Sequence, residues 1–348
     1  MKEKLKTLIK RIEDDDPDYC VDRGIFCGDL DPKEAALILL PVPWDATTSY
    51  GTGAAKAPQA IAKASYQIDL FDPVFGTPYK KGLAILSAGK AAKEIKKLNQ
   101  EASPLAKRLR STSQNGAHAS QLGKFNQISK RVNELVYKEA QHWLNEGRLV
   151  GLIGGEHSCP LGLIRALSEK YKDGFGILHI DAHLDLRPGY EGFLFSHASI
   201  MHHVVHEIKN LQKLVQVGMR DFSEDEFETA KSLHNSSSLY LDRDIFLRRA
   251  EGENFLHIVH QIVGELPENV YISFDIDGLE PAFCPSTGTP VPGGFSFNEA
   301  SLLLEELAKS KRRIIGFDLT EVVPSKNGEW DENVGARLLY KLCGAAFL

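Results

Sequence analysis

Eight short apolar runs recur along this chain, and most are separated by longer, amphipathic stretches. The runs are AALILLP (36–42), GLAIL (82–86), RLVGLIG (148–154), FGILHID (175–181), KLVQVGM (213–219), SSLYL (237–241), NVYISFD (269–275) and RRIIGFD (312–318). Helical patterns fall near 124–147, 160–171, 196–209, 223–234, 254–265, 297–309 and 331–346. Strands alternating with helices predict a parallel sheet covered on both faces. Runs that are apolar at nearly every position fit strands buried on both sides. The expected fold class is therefore α/β, with three αβα layers around a central, mostly parallel sheet of about eight strands.

A chain of 348 residues suits one large α/β domain or two modest ones. No linker divides it and no repeat is visible. Residues 1–34 read as an N-terminal extension and 35–348 as a single domain. Within that domain the stretch 88–122 is polar, basic in its middle and poor in large apolar residues. It reads as a surface insertion, partly helical.

Charge and composition exclude several functions. The net charge of -6 argues against a general nucleic-acid binder, which needs a basic surface to replace phosphate counterions. No apolar run approaches the roughly 18 residues that span a bilayer, so no membrane partner is expected. The segment MKEKLKTLIKRIEDDD lacks the apolar core of a signal peptide. Five cysteines, scattered and without a CxxC pair, predict reduced thiols and a cytoplasmic location.

The chemistry sits where strands end. In HIDAHLD (179–185), Asp181, His183 and Asp185 occupy every second position after an apolar run. In extended chain such residues point to one side, and open α/β sheets place their sites outside the strand ends. A helix cap or a satisfied loop residue would explain any one of these acids. The pattern recurs, however. NVYISFDID ends in Asp275 and Asp277, and RLVGLIGG runs into Glu156 and His157. Adjacent acids repel unless a cation lies between them, and unrelated caps do not explain three strands ending alike. His157, Asp181, His183, Asp185, Asp275 and Asp277 supply two imidazoles, four carboxylates and no thiolate. Six ligands suit a pair of ions. Their oxygen-rich character favours two Mn2+ per subunit over zinc, with Ni2+ or iron also admissible. Two such cations lower the pKa of a bridging water, which becomes a hydrolase's nucleophile.

The motifs GGEHS (154–158), DAHLD (181–185) and SFDIDGLEPAFCPSTGTPVPGG (273–294) resemble the three metal motifs of the ureohydrolases, the family of arginase, agmatinase and formimidoylglutamase. PVPWDATTSYGTGAAKAPQAIAKAS (41–65), FSHASIM (195–201) and GFDLTEVVP (316–324) extend the likeness over roughly residues 35 to 346. The resemblance implies an arginase-like fold and the same six ligands. It implies Glu321 as the carboxylate that pairs with a substrate guanidinium, whose planar fork of donors suits a carboxylate. It implies His197 as the shuttle that delivers a proton to the leaving amine; Asp185 counts as both ligand and catalytic group. Trimers or hexamers of identical subunits are expected. The bland alternatives are a surface histidine at 197 and a structural ion pair at 321. Departures from the family pattern are Glu156, Glu280, Cys284 and Ser286, where Asp, Asp, Ala and Gly are common. None is a ligand.

The resemblance implies hydrolysis of a small guanidino substrate to urea and an amine. Arginases typically carry Asn where this chain has Arg187, so arginase is disfavoured and agmatine leads. Arg187 either lines the substrate site or binds Glu191 or another acid. Free guanidine is the alternative if residues 18–30 close over the pocket. Formimidoylglutamate would need a carboxylate anchor that the sequence does not display. Thiol-based amidinotransfer or deimination through Cys159 or Cys284 leaves six ligand-type residues unexplained. An inactive partner subunit would have lost ligands, and none is lost. TGTPVPGG lacks the GK[ST] ending of a phosphate loop.

Overall fold

The computed structural model describes residues 3–13, 24–87, 89–111 and 116–348. Eight strands form one sheet: β1 (Leu37–Val42), β2 (Leu83–Ile85), β3 (Leu149–Gly154), β4 (Phe175–Ile180), β5 (Leu211–Met219), β6 (Ser237–Leu241), β7 (Asn269–Asp275) and β8 (Arg313–Thr320). Their order is β2-β1-β3-β8-β7-β4-β5-β6, and every neighbouring pair is parallel. All eight runs read from the sequence are strands, to within two residues at either end. The sheet is wholly rather than mostly parallel.

Helices cover both faces. They are α1 (Glu3–Glu13), α2 (Ala57–Ala64), α3 (Lys90–Ser111), α4 (Gly116–Asn145), α5 (Leu161–Lys170), α6 (Ile200–Glu207), α7 (Glu224–Ser232), α8 (Asp242–Ala250), α9 (Phe255–Gly264), α10 (Phe297–Lys309) and α11 (Trp330–Ala345). Alternate strand residues feed two cores, as the two-residue period of a strand requires. Ile38, Leu40, Val150, Leu152 and Ile177 pack with residues of α3, α4, α5 and α6. Leu37, Leu39, Ile153, Leu178 and Ile180 pack with residues of α2, α9, α10 and α11. This is the expected three-layer arrangement.

Among the described residues, three helices, α1, α2 and α8, were not legible in the pattern, and α3 falls in the stretch expected to be partly helical. The stretch 88–122 is mostly helical, and α3 buries Ile95, Ala102, Leu105, Ala106 and Leu109. Its apolar face uses Ala and single Leu residues, which look thin in sequence but suffice against α4. Of the segment 18–30, residues 18–23 lie outside the described residues. The rest does not line the site. Phe26 is buried against Tyr340, at 4.8 Å between ring centroids, and its N–H donates to Ser65 Oγ. Cys27 is disulfide-bonded, which departs from the expectation of reduced thiols throughout. Cys159, Cys284 and Cys343 are free and buried.

The turn after β3 shows how tightly the site's frame is packed. Gly155 N–H donates to Val42 O and Glu156 N–H to Trp44 O, both at 2.9 Å. A Cβ on Gly155 would lie 1.8 Å from Trp44 O, a backbone atom that cannot turn aside. Gly155→Ala is expected to destabilise the protein by roughly 3 kcal/mol, read as a lowered midpoint in urea unfolding. An unchanged midpoint would mean that the turn is pliable.

Candidate metal centre and active site

The four central neighbours of the sheet, β3, β8, β7 and β4, each deliver functional side chains from their C-terminal ends. His157 follows β3, Glu321 follows β8, Asp275 and Asp277 close β7, and Asp181, His183 and Asp185 follow β4. Parallel strands in adjacent positions bring these ends together, so the six expected ligands meet in one place.

Their geometry asks for cations. His157 Nδ1 lies 2.9 Å from Asp181 Oδ2 and 3.2 Å from both Asp185 Oδ2 and Asp275 Oδ2. It is buried yet in hydrogen-bond geometry with none of them. His183 Nδ1 lies 3.2 Å from Asp277 Oδ2 and 3.4 Å from Asp181 Oδ1. Two ligand groups result: His157, His179, Asp181 and Asp185, and Asp181, His183 and Asp277. Asp181 belongs to both, as a bridging carboxylate would. The donor set fits a pair of divalent cations.

Electrostatics gives the same answer. Burial raises Asp185 to about 7, and the neighbouring Asp181 adds to the shift. Burial also pushes Asp275 well up, helped by Asp277. Burial alone would raise Asp181 too, but the adjacent His157 and the hydrogen bond from His179 hold it well below the usual carboxylate range. Crowded buried acids of this kind stay ionised only beside positive charge.

His179 is a residue that the sequence reading passed over. Its Nε2 lies 2.8 Å from Asp181 Oδ2, and Gln216 Nε2 lies 3.1 Å from its Nδ1. Gln216 also donates to Leu184 O, which fixes its amide orientation. His179 therefore accepts at Nδ1, donates at Nε2 and steers the Asp181 carboxylate. The signal was present: His179 stands two residues before Asp181, on the same side of β4. Arg220 was missed for a different reason. It reaches across from the end of β5 and donates to Gly218 O, Asp277 O, Leu279 O and Val291 O, clamping the loop that carries Asp277. No local spacing announces such a contact.

Two non-glycine residues at the site have left-handed backbone, Asp185 at φ 54° and Glu321 at φ 59°. Strain of this kind persists where the surroundings fix it. Met201 and His202 N–H donate to Asp185 O, and Thr287 Oγ1 donates to Glu321 O. Glu321 Oε1 accepts from His157 N–H at 2.9 Å, and a Cβ at Gly288 would sit 3.5 Å from Glu321 Oε2. Burial, with Glu156 adding, raises Glu321 well above the usual range.

A cavity of about 150 Å3 opens from this centre, lined by His183, Asp185, Arg187, Tyr190, His197 and Asp221 among others. His197 is held by its N–H to Thr47 Oγ1 at 3.0 Å. Burial keeps it neutral, with a pKa lowered to about 3; His183 and Arg110 add to the effect. Arg187 lines the cavity with its charge already matched: Nε lies 3.1 Å from Glu226 Oε2, and the guanidinium stacks 5.1 Å from the Tyr190 ring centroid. Glu191 pairs instead with Arg110 of α3. Cys159 is buried, with its thiol pushed well up by burial, and Cys284 is raised beyond any reactive range for the same reason. Neither is a nucleophile here.

A model of the arginase family matches residues 35–344. The chain belongs to the arginase family. It is 31% identical to an N(1)-aminopropylagmatine ureohydrolase of Thermus thermophilus, over 90% of both chains. It is 29% identical to an agmatinase of Pyrococcus horikoshii, covering 90% of this chain and 93% of that one. Among solved structures, the agmatine ureohydrolase of Thermoplasma volcanium superposes with a TM-score of 0.69 at 23% identity, over 91% and 92% of the two chains. That likeness shows the fold. This arginase-family protein is accordingly a metal-dependent ureohydrolase, and no helix among its described residues is long and apolar enough to cross a membrane.

Proposed function

We propose that the protein hydrolyses a guanidino compound bearing a cationic alkylamine tail, agmatine or its aminopropyl derivative, to urea and the amine. The observation that carries this reading is the outer wall of the cavity. Asp221 and Glu226 line it, and the one arginine there, Arg187, is neutralised by Glu226. Arg187 and Glu226 cancel, so exposed Asp221 leaves the wall net negative; it favours an ammonium tail and offers an amino-acid carboxylate no uncommitted cation. The names of the relatives point the same way.

His157, Asp181, His183, Asp185, Asp275 and Asp277 would hold two divalent cations. When bound, such cations supply Lewis acidity and a water acidic enough to serve as nucleophile near neutral pH. Glu321 receives the guanidinium through charge-assisted hydrogen bonds. Neutral His197 takes a proton and passes it to the departing amine nitrogen. Tyr190 and Phe222 give the alkyl chain an apolar wall.

The test is urea release by the manganese-loaded and, separately, the nickel-loaded protein. Substrates are agmatine, aminopropylagmatine, guanidine, arginine and formimidoylglutamate. Urea from either agmatine compound, at least tenfold above arginine in kcat/KM, is the expected result. Urea from guanidine alone would overturn the tail-binding reading and leave the hydrolase.

A further inference from the structure

We propose that Glu156 and Thr47 are positioning residues that fix the tautomer of His197, holding its proton on Nδ1 and leaving Nε2 free to take one. The proposal rests on the proton-shuttle role given to His197 above.

Glu156 is fully buried and accepts four hydrogen bonds. They come from Trp44 Nε1 at 2.9 Å, Thr47 N–H at 2.8 Å, Thr47 Oγ1 at 2.5 Å and Ser158 Oγ at 2.8 Å. The indole and the backbone amide can only donate. Glu156 is thus the acceptor on which this buried group of side chains converges, and the single Thr47 hydroxyl proton points to it.

That commitment determines what Thr47 can offer His197. A hydroxyl has one proton and two lone pairs. The proton goes to Glu156, and one lone pair accepts His197 N–H at 3.0 Å. The other faces His197 Nδ1 at 3.4 Å. An Nδ1–H completes the hydroxyl's bonding. A bare Nδ1 would set lone pair against lone pair in a buried site. Thr47 is itself immobilised, since its carbonyl accepts from Arg110 and its side chain is wholly buried.

The consequence is directional. With Nδ1 protonated, Nε2 is the ring's only basic atom. A proton taken from the nucleophilic water at Nε2 gives the imidazolium. The water oxygen bonds to the guanidinium carbon, the same proton then passes to the amine nitrogen as the C–N bond breaks, the remaining hydroxyl proton follows it as the urea C=O forms, and the ring returns to its starting tautomer. Glu156 and Thr47 touch neither substrate nor reacting atoms; they act through His197.

The experiment compares Thr47→Val, which keeps shape but removes the hydroxyl, with Thr47→Ser, which restores it. Neutron diffraction on the deuterated, manganese-loaded wild type reads the ring directly. The expected result is deuterium on His197 Nδ1 and none on Nε2. Thr47→Val should lose about 10²-fold in kcat with KM and metal content unchanged, and Thr47→Ser should recover most of it. Deuterium on Nε2 alone, or a Thr47→Val variant with wild-type kcat, overturns the proposal. If Thr47→Val does not fold, the neutron map and Thr47→Ser still decide. His197→Ala with undiminished kcat would instead overturn the shuttle reading, leaving the tautomer to the map.

Discussion

Replacing Asp181 by Asn is expected to abolish metal retention and to lower urea production by roughly 10³-fold or more. Asp181 is the one side chain common to both ligand groups, so a single substitution weakens both halves of the centre. Asn keeps the size of the side chain and loses the charge that balances the cations. It also breaks the pairing with His179, whose Nε2 then meets an amide in place of one carboxylate oxygen. Three measurements read the outcome: bound metal by mass spectrometry, urea release, and the melting temperature with and without added manganese. A ligand at 100 times its Kd stabilises the folded state by about 2.7 kcal/mol. The wild type should therefore melt higher with metal, and the variant should melt at one temperature in both conditions. A variant that keeps wild-type metal content and rate would show that Asp181 does not bridge. Equal loss from Asp277→Asn but not from Asp181→Asn would place the weight on a single ion instead.

Much of this arrangement was legible because parallel strands in the middle of a sheet are buried on both faces and end at one edge. Spacing in extended chain pointed to Asp181, His183 and Asp185 together, but the segment bends after β4 and Asp185 is left-handed, so the turn rather than strand alternation sets their directions. That Asp275, Asp277 and His157 join them follows from β3, β8, β7 and β4 being neighbours, which spacing cannot give. The resemblance supplied that adjacency before the structure did. Arg220, Thr47 and Gln216 stayed hidden because each acts through a backbone carbonyl, a hydroxyl or a ring nitrogen far away in sequence. A lone polar residue carries no pattern. The α3 helix looks like a surface excursion in sequence because its buried side is largely Ala and Leu spaced among lysines, yet Arg110 at its end ties down both Thr47 and Glu191. Length gives no direction to residues 18–30, and their described part packs against α11.

Glu321→Gln separates substrate recognition from metal binding. Glu321 uses one carboxylate oxygen to hold His157 N–H, and the other lies beside Gly288, where the absent side chain leaves room. In the Gln variant the amide oxygen is the only group that can accept from His157 N–H. The amide NH2 then takes the place of Oε2 beside Gly288, the oxygen proposed to meet the guanidinium. Donor would meet donor, and the charge proposed to recognise the guanidinium would be gone. A fall of about 10³-fold in kcat/KM for agmatine is expected, equivalent to about 4 kcal/mol. Bound metal and melting temperature should stay near wild type, because the variant keeps the hydrogen bond that positions His157. Binding of the product amine should also persist if, as proposed, its tail meets Asp221 rather than Glu321. Loss of metal together with activity would instead make Glu321 a prop for His157, with no part in holding the guanidinium. The strained backbone at φ 59° would then serve the metal centre alone.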